Sequence, residues 1–475
     1  MKALFLQIVM PYVQTRIETL SENLVATFDF ATFEQELMLL MNQLSAAIVA
    51  IELTELLTSP EYLAQLKQLG SLRGMRFKEY RTVTVYLATG QRIQVPTPYF
   101  LKASPKRGRK KQGPNGRGAH LGLDVLGFMG RGSSHLVSEV VKMAVLCPSL
   151  AVAEEILVGR GVLLDKDTIH RFCRELAERG VAQRGTVSLS GAEVLTGYTL
   201  VIGIDGGRLR ERRAKRGRRK AGQKRQGYHG EWREPKLFTI YLQDNEGKPV
   251  KDFAPLHDAT MGNHEEMYAL LECYLSALPL ADVRRLVFCG DGAPWLWSGV
   301  EALCARMGLN ETVEVYQVLD FIHAQQNLQT ILDLVSARVR QKEKVEEKWR
   351  QLLWNGDIAG LKEEIKRLLT GNKQAQALKK WQNYFQGNEK RMQYKRFKDA
   401  AIPCGSGCVE SAIRRIINMR LKSAGTFWTR EIAEFFLFLR SQLLSGRWQI
   451  MLRNLTRQHA LDLLKSHTDP APNLA

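Results

Sequence analysis

The stretch YTLVIGIDGG, residues 198–207, decides how this chain reads. Leu200, Val201, Ile202 and Ile204 make a short apolar run of strand length, and such a run reads as a buried strand. It ends on a carboxylate, Asp205. A buried apolar strand tolerates a charge only at its mouth, where water, a metal ion or a partner compensates it. Gly206 and Gly207 follow, and residues without a Cβ let another backbone or a ligand come close.

Two other places repeat the theme. LVFCGDGA carries Asp291 at the end of an apolar run, and GSGCVES carries Glu410 at the start of a helix. Strands are expected at 198–205, 236–243 and 248–256, with a DNEG turn at 244–247. A helix near 263–278, a strand at 285–290 ending on Asp291, a helix over about 295–307 and a strand at 312–319 ending on Asp320 complete the run. Three strands, helix, strand, helix, strand predict an α/β fold with a mixed five-stranded sheet. Its first three strands connect as hairpins and its last two, reached by crossovers, lie parallel. That order sets Asp205 and Asp291 side by side at neighbouring strand ends.

The 475 residues are too many for one compact core, so several domains are expected. Lys and Arg number 68 against 49 Asp and Glu, a net charge of +19 with a pI near 9.6. An excess so clustered favours a polyanionic partner, most simply nucleic acid. Seven scattered cysteines argue for a reducing compartment and against a disulfide framework. No window has the ~18 uninterrupted apolar residues of a membrane span, and the N-terminal run is broken by Gln7, so it reads as a helix and not a signal peptide. The expectation is a cytoplasmic, nucleoid-associated protein with no membrane partner.

Residues 1–73 are patterned as helix. Residues 74–118 read as a β-hairpin and then a basic arm, in which Arg107, Arg109, Lys110 and Lys111 are candidates for phosphate contact. Residues 119–190 include two helices with a short turn. Lys166, Thr168, Arg171 and Arg174 lie on the second, as in a helix-turn-helix offered to DNA; the pairing is also common in proteins that never touch DNA. Residues 191–321 hold the sheet, and 322–400 a charged helical insertion. Residues 401–455 return to the core, and 456–475 are a low-complexity tail. Arg208, Arg210, Arg212 and Arg213 begin a basic insert after Asp205 that reads as a loop, and Arg414, Arg420 and Lys422 follow Glu410; both groups are candidate DNA contacts. His170 and Cys173 have a metal-like spacing without a second pair, and Cys404 and Cys408 likewise lack further ligands.

Phosphodiester cleavage needs an activated oxygen nucleophile and a stabilised leaving oxygen, and two Mg²⁺ ions bridged by carboxylates supply both. Mg²⁺ takes oxygen ligands and keeps several waters, so one to three acidic side chains suffice. Each acid also has an ordinary reading: Asp205 and Asp291 as turn residues, Glu410 as a helical partner of Arg414. Their shared placement on converging elements favours the metal reading.

GIDGG, GDGAPWLW, LDFIHA and GSGCVES, followed by NMRLKSAGTFW, resemble DDE transposases of bacterial insertion sequences, most closely the ISKra-type group. These motifs span about 198–448 and come in that family's order. The resemblance implies a ribonuclease H-like catalytic core and Asp205, Asp291 and Glu410 as the catalytic, metal-binding triad. Mg²⁺ is the implied cofactor and Mn²⁺ its substitute. Asp320 and His323 resemble the family's Asp-x-x-His motif, with His323 orienting a phosphate or a carboxylate; a capping Asp with a structural His fits equally. Trp295 and Trp297 are candidates to stack on an unpaired base or to be core, Trp297 rather core. The function implied is cutting and joining of double-stranded DNA, at transposon ends and target, by a homo-oligomer. A DNA-binding regulator and a nuclease without joining activity are the alternatives.

Overall fold

The computed structural model describes residues 2–102, 118–185, 195–217, 222, 226–336 and 342–455. The phosphate-contact candidates Arg107, Arg109, Lys110 and Lys111 and the tail 456–475 lie outside these residues. The chain divides into two compact units, one of residues 1–180 with 451–475, the other of residues 181–450.

The first unit opens with helices Lys2–Thr27, Phe30–Thr58 and Pro60–Leu72. Asp29 accepts the Thr32 amide and Ser59 the Tyr62 amide, so each of the last two helices begins on a side-chain cap. The helix Phe30–Thr58 is long and apolar enough, by length and composition, to cross a membrane. The expected hairpin is strands β1 (Met75–Tyr86) and β2 (Arg92–Lys102), antiparallel, with the two residues of β3 (Gly118–Ala119) beside β2. Val83, Val85, Ile93 and Val95 face Leu57 in the core of this unit. The short helix Leu121–Val125 follows, then the longer Ser134–Leu146, Leu150–Gly159 and Lys166–Ala182. The last is capped by Asp165, whose Oδ1 accepts the Thr168 amide at 2.7 Å.

The second unit is built on a mixed sheet of five strands: β4 (Thr199–Gly206), β7 (Lys236–Gln243), β8 (Leu256–Thr260), β9 (Arg285–Gly290) and β10 (Glu314–Leu319). Their order across the sheet is β10-β9-β4-β7-β8. β10, β9 and β4 are mutually parallel and β7 is antiparallel to both neighbours. Strands β5 (Leu209–Ala214) and β6 (Tyr228–Arg233) form a separate antiparallel ribbon inserted between β4 and β7. The basic insert expected here as a loop is therefore in good part a hairpin.

One expected strand sits elsewhere. The reading at 248–256 overlaps β8 only at Leu256, since the strand starts after Pro255 and reads LHDAT. Its polarity hid it, because a buried strand was sought as an apolar run. Distant groups answer most of the polar atoms, His257 Nε2 being buried without a hydrogen-bond partner. Thr239 Oγ1 lies 2.9 Å from His257 Nδ1, and the His257 amide donates to Ser445 Oγ at 2.9 Å. Tyr274 Oη donates to Asp258 at 3.0 Å, and the Arg184 guanidinium pairs with both Asp258 and Glu434. Glu434, on the closing helix Arg430–Leu444, also accepts from Thr260 Oγ1 at 3.1 Å. This network bolts the closing helix to the edge strand of the sheet.

The helical insertion joins the same core. Helices Lys342–Asn355, Ile358–Leu368, Gly371–Tyr384 and Tyr394–Asp399 bury Trp349, Leu361, Ile365, Trp381, Phe385 and Tyr394 against the sheet's own layer. The chain then enters helix Gly407–Ile413, which continues as a π-helical turn, Arg414–Asn418. A π turn leaves carbonyls out of the regular ladder. Arg440, 5% exposed, donates to the carbonyls of Ile416 (2.8 Å) and Arg415.

Arg184→Met is expected to lower the unfolding free energy by about 3–5 kcal/mol, since it leaves Asp258 buried without its cation; urea denaturation measures it. His257 gives a second test. Burial, with Arg415 adding to it, pushes its imidazole down to about 4. The unfolded ring takes a proton near 6.5 and the folded ring does not until about 4. The contribution is therefore complete above pH 6.5 and is lost as pH falls through that window, by up to about 3 kcal/mol. His257→Gln should remove that contribution from the difference between unfolding curves at pH 7 and pH 4.5.

Candidate active site

Three neighbouring parallel strands end at one edge of the sheet. Ile204 stands opposite Gly290, and Gly290 opposite Leu319, so Asp205, Asp291 and Asp320 leave the sheet on adjacent strands. The Asp320 amide still donates to Gly290 O at 2.8 Å, extending the ladder by one bond. Glu410 comes from a distant part of the chain. Its helix lies directly on β4, where a Cβ at Gly203 would stand 2.9 Å from Val409 Cβ. Only glycine allows that approach, and Val409 immediately precedes Glu410.

Asp320 fastens these elements together. It is 1% exposed. Its Oδ1 accepts the His323 amide at 2.9 Å, capping helix Phe321–Leu332. Its Oδ2 accepts the Ser406 hydroxyl at 2.6 Å and the Ser406 amide. Ser406 Oγ lies 3.4 Å from Glu410 Oε1, and Ser406 O accepts the Glu410 amide at 3.0 Å. Both oxygens of Asp320 are thus taken, Oδ1 by the start of its own helix and Oδ2 by Ser406, which sets the first turn of the glutamate helix.

Asp320, His323 and Glu410 each offer one ligand atom within 4.8 Å of the others, close enough to share a metal ion. His323 Nδ1 is buried without a hydrogen-bond partner, 3.4 Å from Asp320 Oδ1. Asp205 and Asp291 border this group. Burial pushes the Asp205 carboxyl up to about 6; the Gly206 amide, 2.6 Å from its Oδ1, opposes the rise, and the Asp291 and Glu410 charges add to it. Asp291 Oδ1 accepts the Ala293 amide at 3.0 Å. Carboxylates this close repel one another, and a cation is the direct way to stabilise them together.

Tyr384 and Glu234 border the site and were not singled out from the sequence for a role. Tyr384, from the insertion, packs against Gly292, with its buried hydroxyl beside Asn327. Burial, with Asp291 and Asp320 nearby, pushes that phenol well above its ordinary range. Glu234 lies against Gly206 and pairs with Lys236 at 2.8 Å. Ser406 was quoted within GSG without a role, and the serine between those glycines was its only signal.

The other predicted contacts are dispersed. Lys166, Arg171 and Arg174 are exposed on their helix, Arg174 paired with Glu178, and Thr168 is half-buried. Arg208, Arg212, Arg213, Arg414 and Lys422 are exposed, and Arg210 is half-buried. Arg213 pairs with Glu211 and Glu231. Arg420 is 4% exposed, stacked on Trp428 and Phe436, which puts it inside the fold. Trp297 is 3% exposed in the core, and Trp295 is half-buried under Lys236 Nζ at 4.1 Å. Cys404 and Cys408 are not among the clustered ligand atoms; the Cys404 thiol is pushed up to about 11 by burial.

No protein-family model matches the chain, and no curated protein matches it. Among solved structures, it is similar to the Drosophila P element transposase strand transfer complex, at 10% identity over 70% of this chain and 85% of that one. The TM-score of 0.24 is too low to establish a shared fold.

The bonding of Asp320 predicts a separation of roles in metal-free buffer. Asp320→Ala strands the buried Ser406 amide and should cost about 1–3 kcal/mol of stability. Glu410→Ala, at an exposed position, should change stability by less than about 0.5 kcal/mol. Paired urea titrations read the difference.

Proposed function

We propose that this chain is a DDE transposase of the ISKra-type group, with a ribonuclease H-like core. It binds the terminal inverted repeats of its element, cleaves DNA ends by metal-dependent hydrolysis and joins the 3′-hydroxyl to target DNA. The observation that carries the reading is the meeting of Asp205 and Asp291, on adjacent parallel strand ends, with Glu410 on a helix that folds back onto the first of those strands. A sheet whose second strand alone runs antiparallel supports the ribonuclease H-like core.

The residues divide by what their atoms are free to do. Asp205, Asp291 and Glu410 hold the divalent ions, Mg²⁺ with Mn²⁺ as substitute; oxygen donors suit these hard cations. When bound, such ions polarise the phosphodiester, activate a water and stabilise the leaving oxygen. Asp320, with both oxygens engaged, positions Glu410 and His323. His323 presents its ring at the edge of the carboxylate group, where it can orient a phosphate oxygen.

Double-stranded DNA is the proposed partner, bound by the exposed basic side chains Lys166, Arg171, Arg208, Arg414 and Lys422 together with the basic arm. The protein acts as a homo-oligomer in the cytoplasm, associated with the nucleoid, because two DNA ends must be brought together. Exposed apolar side chains on the first two helices, including Met10, Val25, Met38 and Leu39, support self-association.

The test uses labelled DNA carrying the repeats that flank the gene, with Mg²⁺ or Mn²⁺. Wild-type protein is expected to cut and join. Asp205→Ala, Asp291→Ala and Glu410→Ala are expected to bind the DNA within about twofold of wild type but lose on the order of a hundredfold or more in cleavage rate. Binding without cleavage by the wild type would replace this reading with a DNA-binding regulator. Cleavage without joining would replace it with a nuclease.

A further inference from the structure

The ribbon β5–β6 leaves the sheet directly after Asp205, and its two faces differ in kind. Leu209, Glu211 and Arg213 share one face with His229, Glu231 and Arg233 across the register. The charges on that face neutralise one another. Arg233 donates to Glu211 at 2.8 Å and to Glu231 at 2.6 Å, and Arg213 lies 3.6 Å and 3.7 Å from the same two carboxylates. The opposite face carries Arg210, Arg212 and Ala214 beside Trp232, Gly230 and Tyr228. None of the six is a carboxylate.

That second face is a row of π surfaces. The Arg210 guanidinium lies 5.3 Å from the Trp232 ring and 4.8 Å from the Phe427 ring. Phe427 in turn lies 5.3 Å from Tyr228. Phe427 seats on Gly230, where a Cβ would come within 2.5 Å of its ring, so the glycine makes the slot. Trp232 is 56% exposed and Tyr228 45% exposed. Large aromatic side chains left open on a two-stranded ribbon lose solvation benefit without gaining burial, unless something lies on them.

The ribbon is also anchored from both sides of the carboxylate group. β5 begins four residues after Asp205. The Arg212 amide donates to Trp428 O at 2.8 Å, and the Trp428 amide to Arg210 O at 2.9 Å. Trp428 therefore bridges to β5 at one residue, and it and Phe427 belong to the segment that continues from the Glu410 helix. The aromatic row is held to the two elements that carry Asp205 and Glu410.

We infer that this face binds unpaired nucleobases of a DNA strand held at the carboxylate site, with Trp232 and Tyr228 stacking on the bases and Arg212 on the backbone between them. The inference rests on the DNA reading above. The occupant follows from chemistry: aromatic faces interleaved with arginine, with no carboxylate, match stacked bases flanked by phosphates. A paired duplex hides the base faces this surface would contact. The stacking role sought at Trp295 and Trp297 thus moves to the ribbon, since Trp297 is core and Trp295 is covered by Lys236.

The test uses the full chain in EDTA, with a single-stranded dT20 oligonucleotide carrying one 5-iodouracil, and the corresponding blunt duplex. Photocross-links on the single strand are expected at Trp232 or Tyr228, mapped by mass spectrometry. Trp232→Ala should weaken dT20 binding roughly tenfold and Trp232→Phe less, with duplex affinity changed by less than about twofold. Circular dichroism melts confirm that the exposed substitutions leave the fold intact. Cross-links mapping elsewhere, unchanged dT20 affinity, or equal losses on single strand and duplex would overturn the inference. Those outcomes, alongside wild-type metal-dependent cleavage, would leave the transposase reading standing. Loss of dT20 binding in Trp232→Ala without any wild-type cleavage would do the reverse.

Discussion

Crowded negative charge at the mouth of an apolar sheet is the constraint the second unit is built around. Asp205, Asp291, Asp320 and Glu410 gather there, and burial, with the charges of Asp291 and Glu410 adding to it, raises the Asp205 carboxyl to about 6. Nothing intrinsic to four acids brings them together. They are held because each is fixed by backbone geometry supported elsewhere: three by the register of parallel strands, the fourth by a helix lying on a glycine. The core behind them, Leu200, Ile202, Ile204, Val287 and Phe288 among its residues, provides the stabilisation that the charged edge opposes.

Asp320 shows how such a site separates holding from acting. A carboxylate whose oxygens accept an amide, a hydroxyl and a second amide is a structural acceptor first. Its partners, Ser406 and the helix at His323, determine where Glu410 and the imidazole stand. The metal-like proximity of Asp320, His323 and Glu410 and the triad of Asp205, Asp291 and Glu410 are then two views of one group. Glu410 is common to both, and the proposed ligand role of Asp205 and Asp291 rests on the oxygens of Asp320 being already engaged.

The ribbon after Asp205 applies the same economy to positive charge. Counting arginines between 208 and 233 suggests a uniformly cationic loop. Strand alternation instead sorts them onto two faces, and the ion pairs of Arg213 and Arg233 with Glu211 and Glu231 cancel one of these. The remaining face is defined as much by Trp232, Tyr228 and Phe427 as by charge. The buried polar strand β8 is a parallel case: His257 and Asp258 are sustained by partners up to 188 residues away.

Much of the architecture is legible in the residues. Apolar runs at 198–205, 236–243 and 285–290 are strands because buried strands need little besides β-branched and aromatic side chains. Their order alone demands crossovers, and so the parallel pairing that brings Asp205 beside Asp291. β8 was misplaced and the ribbon read as loop for one reason: polar residues form strands when distant groups satisfy them, and no local pattern records those groups. Likewise nothing near Arg420 announces that Trp428 and Phe436 enclose it, or near Ser406 that Asp320 accepts its hydroxyl. Local sequence determined the apolar strands and which acids end them. Tertiary structure decided which polar groups are neutralised and which are left free to act, because pairing depends on the three-dimensional distance between groups far apart in the chain.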